Sequence, residues 1–103
     1  IAVVCSRNNE PFGRTALEAS SCGCAVIISN NGGLPEASPH AIKLKNLSVK
    51  SLEKNLIHLI KDKKKLLKLQ RKIFSKFDLT NLKISKKIDL YRSDFYKKKI
   101  IKV

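Results

Sequence analysis

The first 29 residues, IAVVCSRNNEPFGRTALEASSCGCAVIIS, decide the fold of this 103-residue chain. Two short apolar runs, residues 1–6 and 24–29, are rich in β-branched side chains. Their composition and length favour strands that are buried on both faces, as in a parallel sheet. The segment between them passes through a loop into residues 15–22, whose small apolar stripe is typical of a helix. Strands that alternate with a helix predict a βαβ unit with a right-handed crossover.

The pattern continues for one more strand beyond this unit. Gly23 is suited to end the first helix, and the cluster NNGGL at residues 30–34 predicts a turn. Pro35 fits the first position of a short helix, and AIKL at residues 41–44 predicts a third, edge-like strand. We therefore predict a parallel α/β core over residues 1–47.

Charge divides the chain into two regimes. The first 40 residues carry a net charge of −1, and the last 63 carry +15. All four glycines, all three prolines and all three cysteines lie in the first regime. The second regime lacks helix breakers and consists largely of Lys, Leu and Ile, which is typical of long amphipathic helices.

Residues 48–103 are accordingly predicted to form basic amphipathic helices. Ser48 or Ser51 could cap the first helix, residues 61–65 interrupt the apolar stripe as at a break between helices, and residues 79–81 look like a connection. The apolar positions that recur at helical spacing are Leu52, Leu56, Leu59, Leu66, Ile73 and Phe77, and then Ile84, Ile88, Tyr91 and Phe95 on a last helix.

Several classes of protein are excluded by composition. Hydrophobic residues make up 43 %, too many for a disordered basic tail. No apolar run approaches the ~20 residues of a membrane span, and no secretion signal is visible. Cys22 and Cys24 form a C-x-C pair without further ligands at suitable spacing, so we expect buried packing residues rather than zinc. With three cysteines and no framework spacing, a reducing, cytoplasmic location is expected.

The chemistry is predicted to lie where the first strand passes into the first helix. Ligands of parallel α/β sheets bind at the carboxyl ends of strands. The backbone N–H groups of Gly13, Arg14 and Thr15 would open the helix and form an anion site suited to phosphate. Glu10 before the helix and Glu18 within it could accept hydrogen bonds from hydroxyl groups. Carboxylates that flank a phosphate site suit a nucleotide-sugar.

A simpler interpretation of the two glutamates stays open on the residues alone. Glu10 could be an acid that the helix dipole favours at its entry. Glu18 could be the i, i+4 partner of Arg14 on the helix surface.

The segment EPFGRTALEASSCGCAVIISNNGGLPE, residues 10–36, resembles the signature of the retaining GT-B glycosyltransferases with an E-x7-E motif, the glycosyl transferases of group 1. Glu10 and Glu18 stand at its two glutamate positions. The resemblance covers residues 1–37, and residues 38–103 carry no motif of their own. It implies an α/β fold: part of the Rossmann-like C-terminal, nucleotide-sugar-binding domain, with a short parallel sheet and basic C-terminal helices.

The resemblance also implies roles for individual residues. Glu10 would be the catalytic-site residue that accepts hydrogen bonds from the donor sugar, and Glu18 would hold the ribose hydroxyls. The loop backbone would face the sugar and the diphosphate, and the Gly32–Gly33 turn would shape the same cleft. The implied donor-site residues are Glu10, Phe12, Gly13, Arg14, Thr15, Glu18, Gly32 and Gly33.

The reaction that the resemblance implies is transfer from a nucleotide-diphosphate sugar, with retention at the anomeric carbon, no cofactor and no obligatory metal. The acceptor would be a saccharide or a lipid-linked saccharide, as in polysaccharide biosynthesis, bound mainly by an N-terminal domain. That domain and the family's diphosphate-binding Arg and Lys lie upstream of the motif. We therefore expect a C-terminal fragment that does not catalyse transfer by itself.

The basic helices leave three interpretations open. A solvated Lys-rich face is favoured, because Lys outnumbers Arg by 18 to 2 in the last 63 residues. Attraction to anionic lipid, and hence peripheral contact with the inner face of a membrane, is the second. Nucleic acid is the weakest, since no aromatic platform is interleaved with the charge. The alternative function is a non-catalytic basic α/β module that binds anionic lipid or nucleic acid.

Overall fold

The computed structural model describes the backbone of residues 1–101 and the side chains of residues 1–98. Within this part of the chain a three-stranded sheet of order β1-β2-β3 is combined with five helices. The elements are β1 (Ala2–Val4), α1 (Arg14–Ser21), β2 (Val26–Ser29), α2 (Leu34–Ala37), β3 (Ile42–Leu44), α3 (Val49–Lys61), α4 (Lys63–Lys76) and α5 (Asn81–Ile101).

All pairings in the sheet are parallel, as the alternation of strands and helices predicts. Val3 of β1 lies opposite Ile27 of β2, and Ile28 of β2 lies opposite Lys43 of β3. The predicted βαβ order is confirmed, and β3 lies at an edge of the sheet as expected. The fold is compatible with part of a Rossmann-like domain.

The central strand β2 is buried on both faces, and its side chains supply two separate apolar clusters. Val26 and Ile28 point to one face, where they pack with residues of α1, α2 and α4. Ile27 points to the other face and packs with Leu44 and with Leu59 of α3. A strand that must satisfy two apolar faces has the near-continuous hydrophobic sequence of residues 24–29.

The first strand departs from the prediction that both of its faces are buried. Ala2 and Val4 pack against the cluster beneath α1, but Val3 on the opposite face is 42 % exposed. The reason is its position at the other edge of the sheet. The cluster that α3 covers draws on β2 and β3 and contains no described residue of β1.

The first two basic helices form where predicted, but α4 ends at Lys76. Phe77, predicted on its stripe, is the non-helical cap, and the connection covers residues 77–80 instead of the predicted 79–81. Ser48 caps α3 by accepting a hydrogen bond from the Ser51 backbone N–H. Asp62 ends α3 and caps α4, its carboxylate accepting from the Lys65 N–H, so the break predicted at residues 61–65 is confirmed. Each helix buries one residue of its apolar stripe completely, Leu59 in α3 and Ile73 in α4.

The last helix does not bury the stripe predicted for it. Of its four positions only Ile84 is half-buried, and Ile88, Tyr91 and Phe95 are exposed. Neither apolar cluster contains a described residue of α5. The two clusters on the faces of the sheet are built with residues of α1, α2, α3 and α4.

The two cysteines of the C-x-C pair differ in burial. The prediction that both members of the C-x-C pair are buried is wrong for Cys22, which is exposed just after α1, while Cys24 is half-buried against the core.

None of the helices within residues 1–101 is long and apolar enough to cross a bilayer.

The adjacent residues Leu59 and Ile60 test whether α3 is part of the folded core. Leu59 is 3 % exposed and Ile60 is 65 % exposed. We expect Leu59→Ala to lower the free energy of unfolding by about 2–5 kcal/mol, since it removes buried methyl groups and leaves a cavity. Ile60→Ala is the matched control and should change it by less than ~0.5 kcal/mol. Equal effects in denaturant titrations would mean that α3 does not pack as described.

Candidate functional site

The carboxyl ends of the three strands lie at one edge of the sheet, because all three run parallel. Three loops leave this edge: residues 5–13 after β1, residues 30–33 after β2 and residues 45–48 after β3. We call residues 5–13 the β1–α1 loop. It carries Glu10 and Phe12, both exposed to solvent. Ligands of parallel α/β sheets bind at such an edge.

The amino terminus of α1 opens at this edge and is bare. Gly13 is its first flanking residue, and neither a side-chain cap nor an acidic residue occupies its first turn. Gly13 has φ +87°, and a Cβ there would lie 2.6 Å from Leu34 Cδ2. Glycine is therefore required both by the backbone and by close packing. No acid or capping side chain of α1 offsets the positive helix end. Of the predicted anion-site residues, Arg14 and Thr15 are exposed and Gly13 is buried.

The predicted polar residues of α1 lie on its exposed face. Arg14, Thr15 and Glu18 are all exposed. Arg14 Nε lies 3.7 Å from Glu18 Oε1, with side chains 88 % and 69 % exposed. An ion pair in this environment contributes little stability. The pair agrees with the simpler interpretation of Glu18, and its exposure also leaves the carboxylate open to a ligand.

The Gly32–Gly33 turn lies directly against the β1–α1 loop. Gly32 has φ +57°, and a Cβ on it would overlap the backbone of Glu10. A Cβ on Gly33 would lie 2.5 Å from the Pro11 carbonyl oxygen. The Gly33 N–H donates to the Glu10 carbonyl oxygen at 2.6 Å. The two backbones touch because neither glycine has a side chain, and the position of Glu10 depends on this contact.

A second set of contacts, which sequence reasoning missed, joins the same two segments. Ser29, at the end of β2, accepts a hydrogen bond from the Ser6 N–H at 2.9 Å. The Asn31 side chain donates to the Ser6 carbonyl at 2.8 Å and to the Asn8 carbonyl at 3.3 Å. A usable signal was present, since small polar residues directly follow a buried strand at the edge where ligands bind.

A shallow depression on the other side of the loop was also not predicted. It has a volume of about 240 Å³ and lies between the end of β1 and the start of α3. Arg7 and Cys5 line one side, and residues 47–49 and Leu52 line the other. Burial raises the pKa of the Cys5 thiol, opposed by a hydrogen bond with the Ser29 backbone. The thiol is therefore protonated at neutral pH, which disfavours a role as nucleophile.

Metal-ligating side chains do not converge at this edge. Within the part of the chain that the structure describes, no three His, Cys, Asp or Glu residues are grouped so that they could hold a metal ion. The polar groups carried by the β1–α1 loop and α1 are the exposed carboxylates of Glu10 and Glu18, the exposed Arg14 and the helix amino terminus. The carboxylates can accept hydrogen bonds from hydroxyl groups, and the arginine and the helix terminus suit phosphate.

The sheet and the helix that opens at its carboxyl edge define an α/β protein of the kind that binds ligands at that edge. Residues 1–75 match the family described as glycosyl transferases group 1, and the chain belongs to this family. Membership indicates a transferase that acts in sugar transfer in general. No curated protein and no solved structure matches the chain.

Substitution of Gly33 tests the contact between the turn and the β1–α1 loop. We expect Gly33→Ala to destabilise the protein by about 1–3 kcal/mol, because the added methyl group must displace backbone atoms of Pro11 and Phe12. Asn30→Ala, at an exposed neighbouring position, is the control and should leave the melting temperature nearly unchanged. A Gly33→Ala protein as stable as the control would show that the two backbones are not in contact.

Proposed function

We propose that this chain supplies part of the donor site of a retaining GT-B glycosyltransferase with an E-x7-E motif. The enzyme would transfer a sugar from a nucleotide-diphosphate sugar to a saccharide or lipid-linked acceptor. An N-terminal domain of the same enzyme would bind the acceptor. The family match supports sugar transfer in general. The donor class, the retention of configuration and the residue roles are the proposal.

One observation carries the proposal above the others. The β1–α1 loop brings Glu10 to the carboxyl edge of a parallel sheet, where α1 also opens with its bare amino terminus. A nucleotide-sugar has a sugar and a ribose separated by a diphosphate. In our proposal Glu10 accepts hydrogen bonds from the sugar, the start of α1 faces the diphosphate, and Glu18 accepts from the ribose.

The helix terminus would contribute most when the donor bond breaks. The bond between sugar C1 and the β-phosphate oxygen is lost, and the departing nucleoside diphosphate gains a negative charge. A new bond forms from C1 to the acceptor hydroxyl oxygen, and the hydroxyl proton passes to the departing diphosphate or to water. Donors that point at a developing charge stabilise the transition state more than the ground state. The N–H groups at Gly13, Arg14 and Thr15 would act in this way.

The exposed ion pair between Arg14 and Glu18 is compatible with this proposal. Arg14 and Glu18 are 3.7 Å apart at their nearest charged atoms and face solvent. Ribose hydroxyls can replace Arg14 as the partner of the Glu18 carboxylate at little cost. The guanidinium would then be free to approach the diphosphate, which arginine binds well.

The two glutamates are predicted to affect different parts of the ligand. Glu18→Ala should weaken nucleoside diphosphate binding about 10-fold or more, because hydrogen bonds to a charged group contribute about 1.5–3 kcal/mol. Glu10→Ala should weaken binding of the nucleotide-sugar and leave the affinity for the nucleoside diphosphate unchanged. Calorimetry with UDP, GDP and ADP and with UDP-glucose, GDP-mannose and ADP-glucose measures both effects.

Glu53→Ala, on the exposed surface of α3, is the control for these titrations and should bind like the unmodified chain. If Glu18→Ala keeps full affinity, the ribose role is wrong. If the unmodified chain binds none of the six compounds, the proposal that it supplies donor contacts fails.

The 103-residue chain by itself is proposed not to catalyse transfer. In the family to which it belongs, the acceptor is expected on a separate N-terminal domain, so the chain would present a donor without an acceptor. We expect no product when the purified chain is incubated with these nucleotide-sugars and saccharide acceptors. Sugar transfer by the purified chain, measured with a radiolabelled donor, would contradict this.

A second candidate function, a basic module that binds anionic lipid, is favoured by the surface of the helices. Exposed apolar side chains stand among the lysines of α3, α4 and α5, as in helices that lie on membranes. Ile60 and Phe74 are examples in α3 and α4, and Tyr91 and Tyr96 in α5. The charge of +15 in the last 63 residues complements anionic headgroups.

Vesicle sedimentation separates lipid binding from a merely solvated surface. If the helices bind lipid, the chain should sediment with phosphatidylserine-containing vesicles at about 50 mM salt and be released at about 500 mM, since salt screens the attraction. Neutral phosphatidylcholine vesicles are the control. Absence of binding at low salt would exclude this function, and preferential binding to DNA would favour nucleic acid instead.

A further inference from the structure

The β1–α1 loop has little internal support: the side-chain hydrogen bonds within it join Ser6 and Asn8, at its start. Residues 7–12 are all exposed, and none lies in a helix or strand. Conformational entropy opposes the ordering of such a segment unless contacts from elsewhere hold it. Glu10 lies inside this stretch, so any geometry of its carboxylate must be imposed from another part of the chain.

The contacts that impose it come from one neighbouring segment, residues 29–33. The parallel ladder between β1 and β2 ends at the pair Val4 and Ile28. Beyond that pair Ser29 contacts Ser6, and further along the loop Gly33 contacts Glu10. Between these two attachment points, one side chain spans the gap.

That side chain is Asn31, and both ends of its carboxamide are used. Its Nδ2 donates to the Ser6 carbonyl at 2.8 Å and to the Asn8 carbonyl at 3.3 Å. Its Oδ1 lies 2.9 Å from Ser29 Oγ, which can donate its single proton to this oxygen or to the more distant Ser6 carbonyl at 3.2 Å. Ser29 is buried, at 3 % exposed, so the amide is attached to the core at one end and to the loop at the other.

Among the residue types compared, only an amide at this position can both donate to the loop carbonyls and accept from the Ser29 hydroxyl. A carboxylate could accept from Ser29 but has no proton for the two carbonyl oxygens, and its charge would repel them. An alanine would leave the Ser6 and Asn8 carbonyls without this partner. The residue type is therefore matched to a loop that presents acceptors on one side and a strand that presents a donor on the other.

We propose that Asn31 is a positioning residue that fixes the β1–α1 loop so that Glu10 meets the sugar of the donor. The inference rests on the proposed donor site. Asn31 acts through the backbone of residues 6–8 and does not touch the ligand. Glu18 and the start of α1 are held by the helix itself, so the ribose and diphosphate contacts do not depend on Asn31.

The proposal predicts a split between two affinities. Asn31→Asp should lower the affinity for the nucleotide-sugar about 10-fold. It should change the affinity for the matching nucleoside diphosphate less than about 2-fold. Asn31→Ala, which adds no charge, should show the same split. Asn30→Asp, an exposed neighbour of the same type, is the control and should behave like the unmodified chain. The probes are UDP-glucose with UDP, GDP-mannose with GDP, and ADP-glucose with ADP.

A merely structural role would give a different result. Suppose that substitution of Asn31 lowered the affinities for a nucleotide-sugar and for its nucleoside diphosphate equally, together with the melting temperature. The positioning role would then be overturned. It would also be overturned if neither affinity changed, or if only the aspartate variant showed the split, which would then reflect its charge.

Amide hydrogen exchange tests the inference without a ligand. The Gly33 N–H donates a hydrogen bond to the Glu10 carbonyl oxygen. Exchange of this amide hydrogen should therefore become at least about 10-fold faster in Asn31→Ala, while the amides of β2 stay protected. Unchanged protection of Gly33 would overturn the positioning role. If the unmodified chain binds none of the probes, the proposed donor site fails, and hydrogen exchange still decides whether Asn31 fixes the loop.

Discussion

The rest of the structure depends on the burial of one four-residue strand. Every residue of β2 is buried, and its side chains alternate between two apolar clusters. Helices on both faces are required to exclude water from such a strand. α1, α2 and α4 cover one side, and α3 covers the other together with Leu66 and Leu69 of α4. The edge strands β1 and β3 then take their parallel direction from β2, and all carboxyl ends meet at one edge.

The candidate site follows from that edge and from the absence of side chains at a few positions. The loop that carries Glu10 lies on the Gly32–Gly33 turn at backbone distance, and Ser29 and Asn31 add hydrogen bonds to its first residues. The site is thus assembled from two segments about 20 residues apart in sequence. The buried strand between them gives it a rigid base, while the two glutamates themselves remain in solvent.

The strong positive charge of the chain is separated from this site. Residues 1–40 carry a net charge of −1, and the lysines of residues 1–101 lie on α3, α4 and α5, apart from Lys43 in β3 and Lys45 directly after it. Long lysine side chains can cover apolar helix surface with their methylene groups and keep the ammonium in water. This arrangement lets α3 and α4 bury Leu59 and Ile73 and still present a basic exterior. In α5 most of the apolar side chains that the structure describes are exposed as well.

The sequence by itself determined the order of elements, the parallel sheet and the helix break at Asp62, because these depend on local patterns of apolar, glycine and capping residues. The same patterns predicted Glu10 at the ligand edge and Glu18 on the helix that follows. Only the tertiary structure decided that Val3 is exposed, that most of the predicted stripe of α5 is exposed, and that Asn31 forms hydrogen bonds with the loop that carries Glu10. Each of these depends on which residues distant in the chain become neighbours, and periodicity describes one segment at a time.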